Sequence, residues 1–499
     1  MMPDVKNISN MKQSSMQERF ILAIDQSTSG TKALVFNSGG LIVSRYDLAH
    51  KQKISAEGWI SHDPLEIYRN TIEAAGAALK QAGTGPASIC GIGISTQRET
   101  ALVWERSGGR PVCDAVVWQC TRGKAICERL KGSAEMIRER TGLRLSSYFS
   151  AAKIAWILEH TDNTHTERLC TGTMDTWLIY KLTGNFRTDF SNASRTQLFN
   201  IKTLSWDREI ADLFGIDTAM LAEVCDSNSN FGMTDLEGLL PRPVPVHGVL
   251  GDSHAALFGQ GCLEKGMGKV TYGTGSSVMI NVGERPVFCN NVVSSLAWGI
   301  NGKVNYVLEG NINYSGAVIK WLIDDVGLIS SSKEAGKLAS QANPQDTCYL
   351  VPAFSGLGAP YWKPDVKACL CGMSRTTGKA EIVKAAEESI AWQIADVLHS
   401  VYEESGITLK ELRADGGATK DEYLMQFQSD ILNMPLGVSE HEELSATGTA
   451  YMAGIALGIY KPVLLDAVKR KQYFPSMEKE EREKRRKGWL DALHFVMGL

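Results

Sequence analysis

The spacing of apolar and polar positions lays out most of the elements. ILAID, KALVFN and LIVSRYDL are three short β-rich runs separated by small-residue turns, which predicts a meander of antiparallel strands. DPLEIYRNTIEAAGAALKQAG follows, with Ile67, Ile72, Ala75, Ala78 and Leu79 at helical spacing. Asp63 and Pro64 open it as a cap and a first-turn proline. SICGIGIST then reads as a strand that runs into the polar residues QRET. Three strands, a helix and a strand make a mixed α/β unit.

The second half takes up the same theme. VPVHGVLGDSHAALFGQG ends a strand at Asp252, KVTYGTGSSVMINV is a strand–turn–strand, and KVNYVLEG is a further strand. ELRADGGATK, a strand ending in a Gly-Gly turn, sits between the helical stretches AEIVKAAEESIAWQIADVLHSVYEESG and KDEYLMQFQSDILNM. ILAIDQSTSGT and VTYGTGSS are each a strand running into a Gly/Ser/Thr turn, about one domain length apart, the mark of a weak internal duplication and not of a short-period repeat. The expected architecture is α/β, two lobes with a cleft between them and a boundary near residue 260. That gives an N-terminal domain over 20–260 and a C-terminal domain over 261–499. Residues 1–19 are polar and lack an apolar signal segment, so they read as a disordered extension, and Met11 and Met16 leave the true start open. The charge run MEKEEREKRRKG reads as a solvated helix face.

Composition narrows the function classes. The 499 residues are 43% hydrophobic and 22% charged, an ordinary globular balance. A net charge of −4 advertises no nucleic-acid surface, and no apolar run approaches the roughly 18 residues of a membrane span. Eleven scattered cysteines contain no C-x-x-C pair, which argues against zinc and for reduced thiols in the cytoplasm. Nucleic acid and membrane are therefore not expected as partners, and assembly into a dimer or tetramer is left open.

Five stretches carry candidate chemistry. Asp25 ends a strand and is followed by QSTSGT and Lys32: a carboxylate for a hydrated Mg²⁺, with Thr28, Ser29, Thr31 and turn amides as donors to phosphate. Taken alone, a plain β-hairpin with a polar turn is the favoured reading of this stretch, and neither standard nucleotide loop is present. YGTGSS at 272–277 and DGGATKD at 415–421 allow close backbone approach to an anion, against ordinary turns as the alternative. Three glycine turns of this kind in two lobes suit a nucleotide bound between lobes. Asp252 is a candidate base for a hydroxyl proton, or else a helix cap. Gln97-Arg98-Glu99 presents a fork of donors and an acceptor to a polyol, or else forms a surface ion pair.

Taken in order, these stretches resemble the FGGY family of carbohydrate kinases. The likeness runs from about residue 20 to the end and rests on GWISHDPLEIY, STQRETALVWE, AVVWQCTR, GTMDTWLIYKLTG, SNASRTQLFNI, PAFSGLGAPYW, EESIAWQ and DGGATKDEYLMQFQSDIL. The resemblance implies two actin-like lobes of the ribonuclease-H type, with ATP and substrate in the cleft. It implies transfer of the γ-phosphoryl group of ATP, with Mg²⁺, to a terminal hydroxyl of a small polyol or ketose. Asp25 then holds the metal, and Thr28, Ser29 and Lys32 line the phosphate loop. Gly273, Thr274, Gly316, Lys320, Gly417, Ala418 and Asp421 match nucleotide-binding positions. Arg98, Glu99, Trp118, Tyr148 and Asp252 match the polyol site, with Asp252 the base. Lys320 and Asp421 depart from the usual Gln and Asn. Ser253 and Ser277 stand where Gln and Phe are usual in the branch of the family that acts on glycerol, so they imply a larger, wetter pocket and open the alternative of a four- or five-carbon substrate. A non-catalytic actin-like ATP-binding protein is a further alternative, which retention of both Asp25 and Asp252 argues against.

Overall fold

The computed structural model describes residues 18–161, 166–465 and 468–499. The expected extension over 1–19 lies outside them, apart from Glu18 and Arg19. Two large sheets share one topology. In the first, Ile42–Ala49, Gly30–Phe36 and Phe20–Gln26 pair antiparallel, Ile89–Thr96 and Val244–Gly251 continue in parallel, and Met233–Thr234 closes antiparallel. The second repeats this with Lys303–Ile312, Ser276–Gly283, Gly268–Tyr272, Leu412–Gly416, Leu436–Ser439 and Arg470–Tyr473. Val293–Ile300 adds an outer antiparallel strand to it. The internal duplication read from the two Gly/Ser/Thr turns is thus a duplication of topology, with the turns at the same place in each sheet.

Period-2 alternation explains why the first strand is apolar throughout. Phe20, Leu22 and Ile24 face one side and pack with Ala74, Ala75 and Ala78 of the helix Pro64–Ala82. Ile21 and Ala23 face the other side and pack with Ala446, Ala450 and Ala453 of the helix Leu444–Ala456. Asp63 caps the helix Pro64–Ala82 as expected, accepting from the Leu65 amide at 2.9 Å. The charge run lies on the helix Lys479–Met497, which buries Trp489, Ala492 and Leu493 and leaves most of its charged residues solvated.

The helices Asp252–Gly259 and Leu444–Ala456 lie between the two sheets. Their core joins Ile21, Leu34 and Phe36 of the first sheet with Met279, Trp298 and Val307 of the second. Gly448 is where the two helices touch: a Cβ there would stand 1.9 Å from the Ala255 carbonyl oxygen. Backbone against backbone leaves no flexible atom to yield. Gly448→Ala should therefore cost at least the 1–3 kcal/mol typical of overpacking and displace the helix that carries Asp252. A urea midpoint within error of wild type would show that the helix pair relaxes freely.

Candidate active site

Most of the polar residues singled out in the sequence sit where the parallel strands end, the usual site of ligands in such sheets. Asp25 is nearly at the end of the first strand, 6% exposed, and accepts from the Ser95 hydroxyl on the neighbouring strand. Burial raises its pKa to about 6; Asp252 and Glu443 add repulsion, against the Ser95 hydrogen bond and Lys32. The hairpin turn is two residues long, closed by Ser27 N donating to Gly30 O at 2.8 Å. Thr28 at its tip is held twice. His50 Nε2 donates to its carbonyl at 3.0 Å, and Trp118 Nε1 donates to its hydroxyl at 2.9 Å. Ser29 Oγ lies 3.4 Å from Ser27 Oγ. Lys32, opposite Asp25 in the register, turns its ammonium to Glu443 at 2.7 Å, which also pairs with Arg45 at 2.7 Å.

The surface ion pair considered for Arg98 and Glu99 is not what forms. Both are buried, and each takes a different partner. Arg98 donates to both oxygens of Glu309, at 2.9 and 2.8 Å, and its Nε lies 3.2 Å from Asp252 Oδ1. Glu99 accepts from Arg195 Nε at 2.6 Å. Arg195 Nη1 lies 2.8 Å from Glu309 Oε2, off the hydrogen-bonding direction. Burial alone would raise the Glu309 pKa; Arg195 and Arg98 reverse this and hold it well below the usual carboxylate range. Glu99 has a left-handed backbone, φ 61°, unusual for a residue with a side chain. Its carbonyl is tied by Ser150 Oγ at 3.1 Å.

Asp252 is the first residue of its helix and not the cap, which is Gly251. Its carboxylate accepts from the Ser253 amide at 2.6 Å and its carbonyl from Ser445 Oγ at 3.0 Å. Trp118 and Tyr148 meet edge to face, ring centroids 5.5 Å apart. Ser277 Oγ lies 3.4 Å from Glu309 Oε1 and so faces the Arg98 fork. Tyr314 packs on Phe354 with ring centroids 5.0 Å apart. His254 is fully buried, and among the described residues neither ring nitrogen has a hydrogen-bond partner; burial and Arg98 push its pKa well down, so it is neutral.

All seven residues matched to the nucleotide, Gly273, Thr274, Gly316, Lys320, Gly417, Ala418 and Asp421, line one cavity of about 990 Å³. Gly316 N donates to Gly273 O at 3.0 Å, closing the turn on the following helix. Gly416 has φ 100°, and a Cβ there would stand 2.2 Å from the Tyr272 carbonyl oxygen, so only glycine brings the two turns together. Asp421 also caps the helix Glu422–Leu432, accepting from Leu424 N at 3.1 Å. Lys320 is at the rim, its side chain 78% exposed and 3.9 Å from Asp324.

Glu309, Arg195, Ser95 and Glu443 were not singled out in the sequence. Arg195 lies within SNASRTQLFNI and Glu309 within the strand KVNYVLEG. An acid directly after the apolar stretch YVL was the available signal for Glu309.

Two duplicated sheets with a nucleotide-sized cavity and a carboxylate–arginine site at their strand ends define a two-lobed phosphotransferase. Residues 20–259 match the N-terminal domain, and residues 268–457 the C-terminal domain, of the FGGY family of carbohydrate kinases, and the chain belongs to that family. It is 47% identical over 490 residues to glycerol kinase 1 of Thermotoga maritima, spanning 96% of this chain and 99% of that protein. It is 42% identical over 489 residues to the glycerol kinase of Bacillus licheniformis, spanning 96% and 99%. The crystal structure of Plasmodium falciparum glycerol kinase with ADP superposes with a TM-score of 0.91 at 34% identity, covering 96% of this chain and 98% of that one. Xylulose kinase from Lactobacillus acidophilus shares the fold, with a TM-score of 0.87 at 19% identity over 96% and 98%. The chain is an ATP-dependent kinase with an alcohol as acceptor, and the family's two actin-like lobes are its fold. The glycerol kinase relatives do not favour the four- or five-carbon alternative or the non-catalytic one.

The raised pKa of Asp25 has a measurable sign. The folded state binds this proton more tightly than the unfolded chain, so the associated stability is complete below the unfolded value of 3.8 and is lost as pH rises through about 6. A shift from 3.8 to about 6 corresponds to about 3 kcal/mol. In chelator-treated buffer at pH 7.5, Asp25→Asn should be the more stable protein by up to that amount, with the gain vanishing near pH 4. Thermal unfolding across that range that shows no pH-dependent difference would remove the buried-carboxylate argument.

Proposed function

We propose that the chain transfers the γ-phosphoryl group of Mg²⁺-bound ATP to a terminal hydroxyl of glycerol, with domains at 20–260 and 261–499. The observation that carries this is the pairing of one cavity, lined by all seven nucleotide-matched residues, with Asp252 held on the Arg98 fork. Glycerol comes from the relatives named glycerol kinase.

In this reading Asp252 accepts the proton of the attacking hydroxyl, oriented by Arg98 Nε at 3.2 Å. Glu99 and Arg98 hold the remaining hydroxyls, and the Trp118–Tyr148 corner excludes water from the carbon chain. Ser253 and Ser277 line the pocket as polar positions. Thr28 and Ser29 donate to phosphate, joined by Lys32 when it leaves Glu443. The described residues contain no cluster of three or more acids, histidines or cysteines able to cage a metal. Asp25 would hold a Mg²⁺ of the kind that keeps most of its own waters. Asp25 suits that role, since a buried carboxylate with a raised pKa gains most from a cation beside it. Bound Mg²⁺ neutralises charge on the transferring group. We place the protein in the cytoplasm, where eleven unbridged cysteines stay reduced; no described helix is long and apolar enough to cross a membrane.

Two measurements test this. Asp252→Asn should lower kcat by about 10²–10⁴-fold while ADP affinity changes little; turnover within about threefold of wild type would exclude Asp252 as the base. In a coupled ADP assay, glycerol should show the highest kcat/KM among glycerol, dihydroxyacetone, erythritol, erythrulose, ribulose and xylulose. A four- or five-carbon substrate ahead of glycerol would overturn the acceptor assignment and point to the serine-lined wall.

A further inference from the structure

The nucleotide cavity contains one buried acid that the scheme above does not use. Glu387, on the helix Lys379–Ser405, lines that cavity yet is 2% exposed. Among the described residues its carboxyl makes no hydrogen bond or ion pair, and the charges acting on it are Asp421 and Glu388, both of its own sign. Its neighbour Glu388 is the contrast: it accepts from Tyr423 at 2.6 Å and from Arg485 at 3.1 Å. A buried polar group without a partner is costly, and one facing a cavity is explained by what enters the cavity.

We propose that Glu387 reads the nucleobase, offering one carboxyl oxygen as hydrogen donor and the other as acceptor to the edge of adenine. The inference rests on the nucleotide reading of this cavity. The Gly273–Thr274 turn lets backbone approach an anion closely and suits the phosphates, which leaves the uncharged base to the Glu387 side of the cavity. Ile319 and Ile323, on the same cavity wall, give a flat ring apolar contact. Burial, with Asp421 and Glu388 adding repulsion, raises the Glu387 pKa well above the ordinary range, so the group is a neutral acid. A neutral carboxyl carries an O–H donor beside a carbonyl acceptor, the same pattern as the amide that pairs bidentately with the adenine amine and a ring nitrogen. A ring without the exocyclic amine leaves that acceptor unpaired, which the buried site penalises.

The test compares ATP with purine riboside triphosphate, which lacks only the amine, in wild type, Glu387→Gln and Glu387→Leu. Wild type should prefer ATP by about tenfold in KM, the size of one buried hydrogen bond. Glu387→Gln, which keeps a donor and an acceptor, should retain the preference, and Glu387→Leu should lose most of it with kcat for saturating ATP little changed. A wild-type preference under about threefold overturns the proposal without any variant. A Leu variant that keeps the full preference also overturns it, and leaves the base to Asp421. Calorimetry of ADP on wild type separates the two levels: no binding sinks the nucleotide reading itself, whereas binding with unchanged discrimination sinks only the role of Glu387.

Discussion

Glu309 is the residue on which the geometry of the acceptor site depends. One carboxylate from the second sheet receives two guanidiniums from the first half of the chain, Arg98 through both oxygens and Arg195 beside it. Removing one partner of such a buried set leaves an uncompensated charge, at a cost of about 3–5 kcal/mol, whereas the intact set contributes little net stability. Its value is therefore positional. Arg98 can hold Asp252 only because Glu309 holds Arg98, and Glu99 keeps its strained backbone only because Arg195 and Ser150 grip it. The lobe that supplies the two glycine turns thus also fixes Asp252 on the other lobe.

The duplicated sheets explain why the chemistry collects where it does. In each, a hairpin leads into strands that run parallel, and parallel strands end together on one edge. Asp25, Arg98 and Asp252 come off three adjacent strand ends of the first sheet; the Gly273–Thr274 and Gly416–Gly417 turns come off two of the second. The helices Asp252–Gly259 and Leu444–Ala456 fill the space between the sheets with small residues, so close approach at Gly448 sets how far apart the two edges stand.

Dry surroundings shape the ionisation of the site. Asp25, His254 and Glu387 are all buried and all pushed toward the neutral form, while Glu309, paired with two arginines, is pulled firmly to the charged one. The protein keeps a permanent charge where it needs a fixed frame. The buried groups without such a pair are the ones that favour the neutral form.

The sequence by itself determined the strands, the main helices, the duplication and the positions of Asp25, Arg98, Glu99 and Asp252, because period, caps and glycine turns are local properties. Once its collinear order matched a family, it also named seven of the residues that line the cavity, though not Glu387, Ile319 or Ile323. It could not decide between a surface pair and a buried one for Arg98 and Glu99, since the deciding partners, Glu309 and Arg195, stand 211 and 96 residues away. Nor could it show Lys32 turned to Glu443, 411 residues on, or Asp421 doing duty as both cap and cavity wall. Which charges are buried and with whom is a property of long-range packing, and desolvation depends on every element that closes around the group, so only the tertiary structure decided it.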